Sequence, residues 1–196
     1  MSPRTVEQYE QIRSEKRTII MNAAIEVFAE KSFQGASVSM IAQKAGISKG
    51  LLYNYFKSKE ELLKEIIKNA ADTIYQYFDP NHDGILTAEE FFFFIRKNFQ
   101  VVKENVNYWK LYSALVLQPS VLKLIDHDFD EVSANYIKLV YDLFERSGIE
   151  DVEGELLLLT SMVKGAIIQY VAMPDFFPID KIESKILEYY RNKLSV

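Results

Sequence analysis

Between Asp79 and Glu90 the sequence Asp-Pro-Asn-His-Asp-Gly-Ile-Leu-Thr-Ala-Glu-Glu spaces oxygen donors as a twelve-residue calcium loop requires. Asp79, Asn81 and Asp83 offer side-chain oxygens at loop positions one, three and five, and Gly84 at six permits the sharp turn. Ile85 supplies a carbonyl at seven, Thr87 at nine reaches an ion through water, and Glu90 at twelve can clasp it with both oxygens. The same residues have a plainer reading: Asp-Pro and Asp-Gly are turn signals, and Thr87 with Glu90 makes a capping box for the next helix. Only one such loop is present and its carboxylates are few, so calcium affinity would be weak, and both readings stand. His82, at loop position four, reads as a solvated side chain.

Catalytic chemistry has no comparable set of residues. There is no cysteine, which removes disulfides, thiolate metal sites and cysteine nucleophiles. The only histidines are His82 and His127, and Asp126 to Asp130 reads as a polar helix start rather than a metal site. No nucleophile stands beside a base, no phosphate-binding glycine loop occurs, and an enzyme is not expected.

The elements that position these groups are helices, because apolar residues recur at spacings of three and four almost everywhere. The fold class is all-α, in about nine helices. A first helix from about Ser14 to Lys31 buries Ile20, Ala23, Ala24, Val27 and Phe28, and Gln34-Gly35 ends it. A second, capped by Ser37, buries Ile41, Ala42 and Ala45 and stops at Gly46, where a left-handed residue can close it. Ser48 caps a third, Lys49 to Phe56, which buries Leu52 and Phe56 and leaves Lys49, Gly50, Leu51, Tyr53, Asn54 and Tyr55 on or near its open side. Two short helices joined by a glycine turn read as a helix-turn-helix, or equally as a plain helical hairpin. Charge favours the first: residues 1 to 68 hold eleven Lys and Arg against eight Asp and Glu, while the whole chain of 196 residues carries −5.

The string from Ser37 to Leu63 closely resembles the TetR family of regulators, which joins an Ile-Ala…Ala-Gly-Val-Ser turn, a Leu-Tyr-x-His/Tyr-Phe recognition helix and a Lys-x-x-Leu start to helix four. The resemblance covers about the first third of the chain; the calcium-type loop departs from it. It implies that Lys49, Gly50, Leu51, Tyr53 and Asn54 face the major groove, with Tyr55 and Lys59 on phosphates. The side-chain chemistry suits those roles. Lysine and tyrosine reach phosphate oxygens, Leu51 or Tyr53 can touch a thymine methyl, and Asn54 can read an adenine edge. Ser37 and Ser48 would offer hydroxyls to the backbone besides capping their helices. The resemblance also implies a ligand-responsive transcriptional repressor that binds a palindromic operator as a homodimer, with effector binding altering the spacing of the heads.

Helix four begins with Ser58 as cap and Glu61 completing a box, and runs toward Tyr77 with Leu62, Leu63, Ile66, Ile67 and Ala70 inside. Helices then follow at Phe91 to Val102, Asn107 to Leu117, about Ser120 to Glu145, Asp151 to Ala172 and Asp180 to Leu194, the last two capped by Asp151 and Asp180. The domains are expected at 1–60, for DNA binding, and 61–196, for effector binding and dimerisation, the latter including the EF-hand-like loop 79–90. Phe99, Tyr108, Trp109, Tyr112, Met162 and Tyr170 could line an apolar effector pocket, although each also suits a core. The last two helices are expected to pair with their copies. The start, Met1 to Lys16, lacks the apolar stretch of a signal peptide, and unbroken apolar runs such as Leu156 to Leu159 are far too short to cross a membrane, so a cytoplasmic protein is expected. The rival reading is a calcium-binding module whose front helices do not bind DNA.

Overall fold

The computed structural model describes residues 5–125 and 131–194. Among these the chain is all-α, with ten helices: α1 (Val6–Gly35), α2 (Val38–Lys44), α3 (Lys49–Tyr53), α4 (Lys59–Tyr75), α5 (Ala88–Glu104), α6 (Val106–Val116), α7 (Pro119–Ile125), α8 (Glu131–Arg146), α9 (Val152–Ala172) and α10 (Ile179–Lys193). Two compact units are formed, one from Met1–Asn69 with Leu111–His127, the other from Ala70–Lys110 with Asp128–Val196. The expected helix from Ser120 to Glu145 is represented by α7 and α8; Asp126 to Asp130, read from sequence as a polar helix start, lies outside the described residues.

In the first unit α1 starts much earlier than its apolar stripe. Thr5 and Gln8 form a reciprocal capping box, and the polar residues that follow are good helix formers that need no core. Ile20, Ala23, Ala24, Val27 and Phe28 are buried as expected, with Ile41, Ala42, Leu52, Phe56, Leu62, Leu63 and Ile66 opposite them, whereas Ala45 and Ile67 are half-buried. The helix does not run smoothly to Gly35. At Ser32 the backbone turns to φ 61° and ψ 162°, a region that costs a non-glycine residue about 1–3 kcal/mol, and a last turn follows that Ser32 Oγ caps through the Gly35 amide.

The second unit packs around aromatic rings. Four consecutive phenylalanines on α5 spread their side chains over about 300° of the helix, at about 100° per residue. Phe91, Phe92 and Phe94 are buried, and Phe93 is left partly exposed. Phe91, Phe144 of α8 and Tyr190 of α10 meet with centroids 5.3–5.8 Å apart. Asp151 caps α9 through the Gly154 amide at 2.9 Å, but Asp180 does not cap α10. That helix starts one residue earlier, after Pro178, and Asp180 and Glu183 both accept from Lys103 of α5, at 2.9 and 3.1 Å.

With 21 residues, and a mean hydropathy of 1.3 over an 18-residue window, α9 is long and apolar enough to cross a membrane by length and composition. Counting unbroken apolar runs misses this, because Glu155, Thr160, Ser161 and Lys164 interrupt them. Here one side of α9 packs into the aromatic core, and its Glu155, only 6% exposed, pairs with Lys193 of α10. The Glu155 carboxylate, then the Tyr189 hydroxyl, hold the Lys193 ammonium above the usual lysine range. Burial, then the neighbouring Glu155, push the Tyr190 phenol far up.

Removing Lys193 would strand a buried carboxylate. Lys193→Met should lower stability at neutral pH by about 2–3 kcal/mol. Urea denaturation at neutral pH measures the loss, and a variant as stable as wild type would mean that the Glu155–Lys193 pair contributes nothing there.

Candidate nucleic-acid interface

The helix-turn-helix is built by local caps. Ser37 Oγ accepts from the Met40 amide at 3.3 Å and Ser48 Oγ from the Leu51 amide at 3.1 Å, each starting its helix. Gly46 takes a φ of 66°, and the Gly46 and Ile47 amides close α2 on Gln43 and Ala42. The third helix is shorter than its apolar spacing suggests. It spans five residues, Asn54 is its C-cap, and the Tyr55 and Phe56 amides both turn back to the Leu52 carbonyl.

This arrangement buries Leu52 and Phe56 and exposes Lys49, Gly50, Leu51, Tyr53 and Asn54, with Tyr55 half-buried. The Lys49 ammonium stands 6.0 Å from the centroid of the Tyr53 ring, so a cation, a phenol and a carboxamide share one open surface. Behind α3, Arg17 of α1 donates to the Tyr55 carbonyl at 3.3 Å, pairs with Glu65 of α4 at 2.8 Å and lies over the Phe56 ring. Arg17 thereby locks the far end of α3 to two other helices.

Lys59 is placed differently from the phosphate-facing position that the resemblance implied. Its ammonium donates to the carbonyls of Phe33, Gln34 and Ala36 at 3.0–3.4 Å and sits over the Phe33 ring, so its three protons are used inside the unit. At the start of α4, Ser58 Oγ accepts from the Glu61 amide, but the Glu61 carboxylate reaches past Ser58 to the Lys57 amide at 2.6 Å. On the far side, the side-chain amide of Gln118 accepts from the Phe33 N–H at 2.7 Å and donates to the Phe28 carbonyl at 3.0 Å. Arg17 and Gln118 escaped sequence reading because their partners lie 38 and 85–90 residues away and no local pattern encodes them.

Most side-chain oxygens of the loop at 79–90 accept from the loop's own groups, while Asp79 Oδ1 is buried without a partner. Gly84 has a φ of 74° and its amide donates to Asp79 Oδ2 at 3.1 Å; Asn81 Oδ1 and Asp83 Oδ1 accept from the Asp83 and Ile85 amides. Glu90 Oε2 is turned to the amide and hydroxyl of Thr87, 2.9 and 2.8 Å away, as a cap. Among the described residues no group of three or more Asp, Glu, His or Cys is gathered to hold a metal ion.

Of the six residues considered for an effector pocket, Phe99, Met162 and Tyr170 belong to one apolar cluster, with Phe99 fully buried. Tyr108 and Trp109 pair edge to face at 5.4 Å, and Tyr112 belongs to the first unit. Two clefts open on the second unit. One, of about 650 Å³, lies beside Glu155, Tyr189 and Lys193; the other, of about 450 Å³, lies beside Lys103, Tyr170 and Phe177.

Residues 20–66 match the family described as bacterial regulatory proteins, tetR family. The chain is 30% identical over 122 residues to the fatty acid metabolism regulator protein of Bacillus subtilis, covering 62% of each chain, which is less than two thirds of that relative's length. Its fold is similar to that of the transcriptional regulator FadR from Bacillus subtilis, solved in complex with stearoyl-CoA, with a TM-score of 0.64, 25% identity and coverage of 87% of this chain and 95% of that one. It is also similar to NalD, the secondary repressor of the MexAB-OprM multidrug efflux pump in Pseudomonas aeruginosa, with a TM-score of 0.70, 18% identity and coverage of 92% and 97%.

The strained backbone at Ser32 gives a stability test. Ser32→Gly should raise stability by about 1 kcal/mol, because relief of a glycine-only conformation outweighs one exposed hydrogen bond. Thermal unfolding that shows no gain would mean that the Ser32 hydroxyl offsets the strain.

Proposed function

We propose that this chain, a member of the tetR family by its segment 20–66, is a ligand-responsive transcriptional repressor that binds double-stranded operator DNA as a homodimer and catalyses nothing. One observation carries the reading: the matched segment folds so that α3 buries Leu52 and Phe56 and turns Lys49, Leu51, Tyr53 and Asn54 outward. In this reading residues 1–60 are the DNA-binding domain and 61–196 the effector and dimerisation domain. Lys49, Gly50, Leu51, Tyr53 and Asn54 lie along the major groove, Tyr55 contacts a phosphate, and Ser37 and Ser48 touch the backbone while capping. Lys59 acts from behind, by holding the segment that leads into α2.

A homodimer through α9 and α10 is supported by the apolar residues that α9 leaves uncovered, Leu157 at 71% exposure with Leu158 and Ile168. The same face accounts for the apolar length of α9 without a membrane, in keeping with a cytoplasmic protein. The effector is a partly apolar small molecule received among the aromatic residues of the body, with Phe99, Tyr108, Trp109, Tyr112, Met162 and Tyr170 as candidate lining. Long-chain acyl-CoA is the first class to test, because the FadR structure similar to this chain holds stearoyl-CoA. Calcium at 79–90 is the second reading, favoured by the left-handed Gly84 held on Asp79. It requires Glu90 to leave Thr87, and its signature is a calcium-dependent rise in melting temperature that Glu90→Gln abolishes.

DNA fragments selected from genomic DNA should bind the protein in a salt-sensitive manner. In Lys49→Ala combined with Tyr55→Ala, affinity should fall by roughly a hundredfold and the salt slope by about one, for the one lost cation. Anisotropy titrations over a salt series measure both, and stearoyl-CoA added to the wild-type complex should release the DNA. Absence of any selected fragment would remove the regulator reading.

A further inference from the structure

We propose that Gln118 is a positioning residue for DNA binding, through which the turn between α6 and α7 sets the path of the backbone into the helix-turn-helix. The inference rests on the DNA-binding reading above and adds a point of control to it.

The break at Ser32 takes the Phe33 amide out of the hydrogen-bond ladder of α1, and the Phe28 carbonyl one turn earlier also accepts from outside the helix. One side chain supplies both: Gln118 Oε1 accepts from Phe33 N–H and Nε2 donates to the Phe28 carbonyl, in effect splinting the helix across its own break. Phe28 and Phe33 are themselves buried, with ring centroids 5.2 Å apart, so these main-chain groups would be costly to leave unmet.

Gln118 has little freedom of its own. Its amide donates to the Leu115 carbonyl at the end of α6, and its carbonyl accepts from the Val121 and Leu122 amides in the first turn of α7. The side chain therefore moves with that turn. Helix α6 runs from Val106 to Val116 and ends two residues ahead of Gln118. At its other end the splint bears on Ser32 to Ala36, which runs directly into Ser37, the cap of α2. A strained residue such as Ser32 persists only while its surroundings hold it. Gln118 and Lys59 both bear on this stretch, from the α6–α7 turn and from the first turn of α4.

The test uses the full chain with Gln118→Met, which keeps length and packing but neither hydrogen bond, and Gln118→Glu, which keeps the acceptor alone. Selected DNA is titrated by anisotropy, and exchange of the Phe33 amide is followed by NMR. Both variants should keep helical circular dichroism. Gln118→Met should expose the Phe33 amide to exchange and weaken DNA binding roughly tenfold without changing the salt slope, with Gln118→Glu between it and wild type. Unchanged affinity in Gln118→Met, or a Phe33 amide that stays protected, overturns the proposal while leaving the regulator reading intact. A wild-type protein that binds no DNA removes both, so the two failures are told apart.

Discussion

Main-chain polar groups buried without partners are among the costliest defects a small helical protein can carry, and the first unit is organised around avoiding them between Phe28 and Ala36. Once Ser32 leaves helical geometry the Phe33 amide pairs outside the helix, and the carbonyls of Phe33, Gln34 and Ala36, left over at the helix end, accept from a side chain. Lys59 and Gln118 meet them. The start of α4 is thereby tied to the end of α1, and α2 follows from a fixed point. Arg17 makes the complementary tie, joining α1 to the end of α3 and to α4. The exposed face of α3 is thus presented by a frame closed at both ends.

Much of this was legible from sequence because it is local. Caps at Ser37, Ser48, Thr87 and Asp151, the left-handed Gly46 and the buried stripe of α1 all depend on residues within one or two turns of each other. The N-terminal extension of α1 had a local signal as well, Thr5 with Gln8, but a search for apolar periodicity passes over a polar helix. Asp180 misled in the opposite direction. It has a capping residue's chemistry, but Pro178 starts the helix ahead of it and Lys103, far away in sequence, claims its carboxylate. Lys59 was misplaced for the same reason: a family pattern marks a lysine there, while only the fold shows where its protons go.

The segment at 79–90 shows how one set of residues can satisfy two patterns. Its oxygens alternate as a calcium loop demands, and the backbone turns at Gly84 accordingly. Those oxygens nevertheless accept the loop's own amides, and Glu90 closes a capping box at the start of α5. Spacing records which atoms could converge; it does not record which competing hydrogen bond they make. A similar competition shapes α9, whose composition would suit a lipid environment but whose Glu155 finds Lys193 within the unit.

The aromatic body has a consequence for affinity. Phe99 is fully buried, Phe91, Phe144 and Tyr190 are in ring contact, and both clefts lie open at the surface. A ligand that enters among these rings has to bind a loosened arrangement that the resting protein populates only as a minority. The observed dissociation constant is then the intrinsic one divided by the open fraction, and each tenfold rarity of that form weakens apparent binding tenfold. Under the proposed ligand-responsive reading, packing quality and ligand sensitivity are therefore opposed: tightening the core to gain thermal stability would raise the concentration at which such a protein responds.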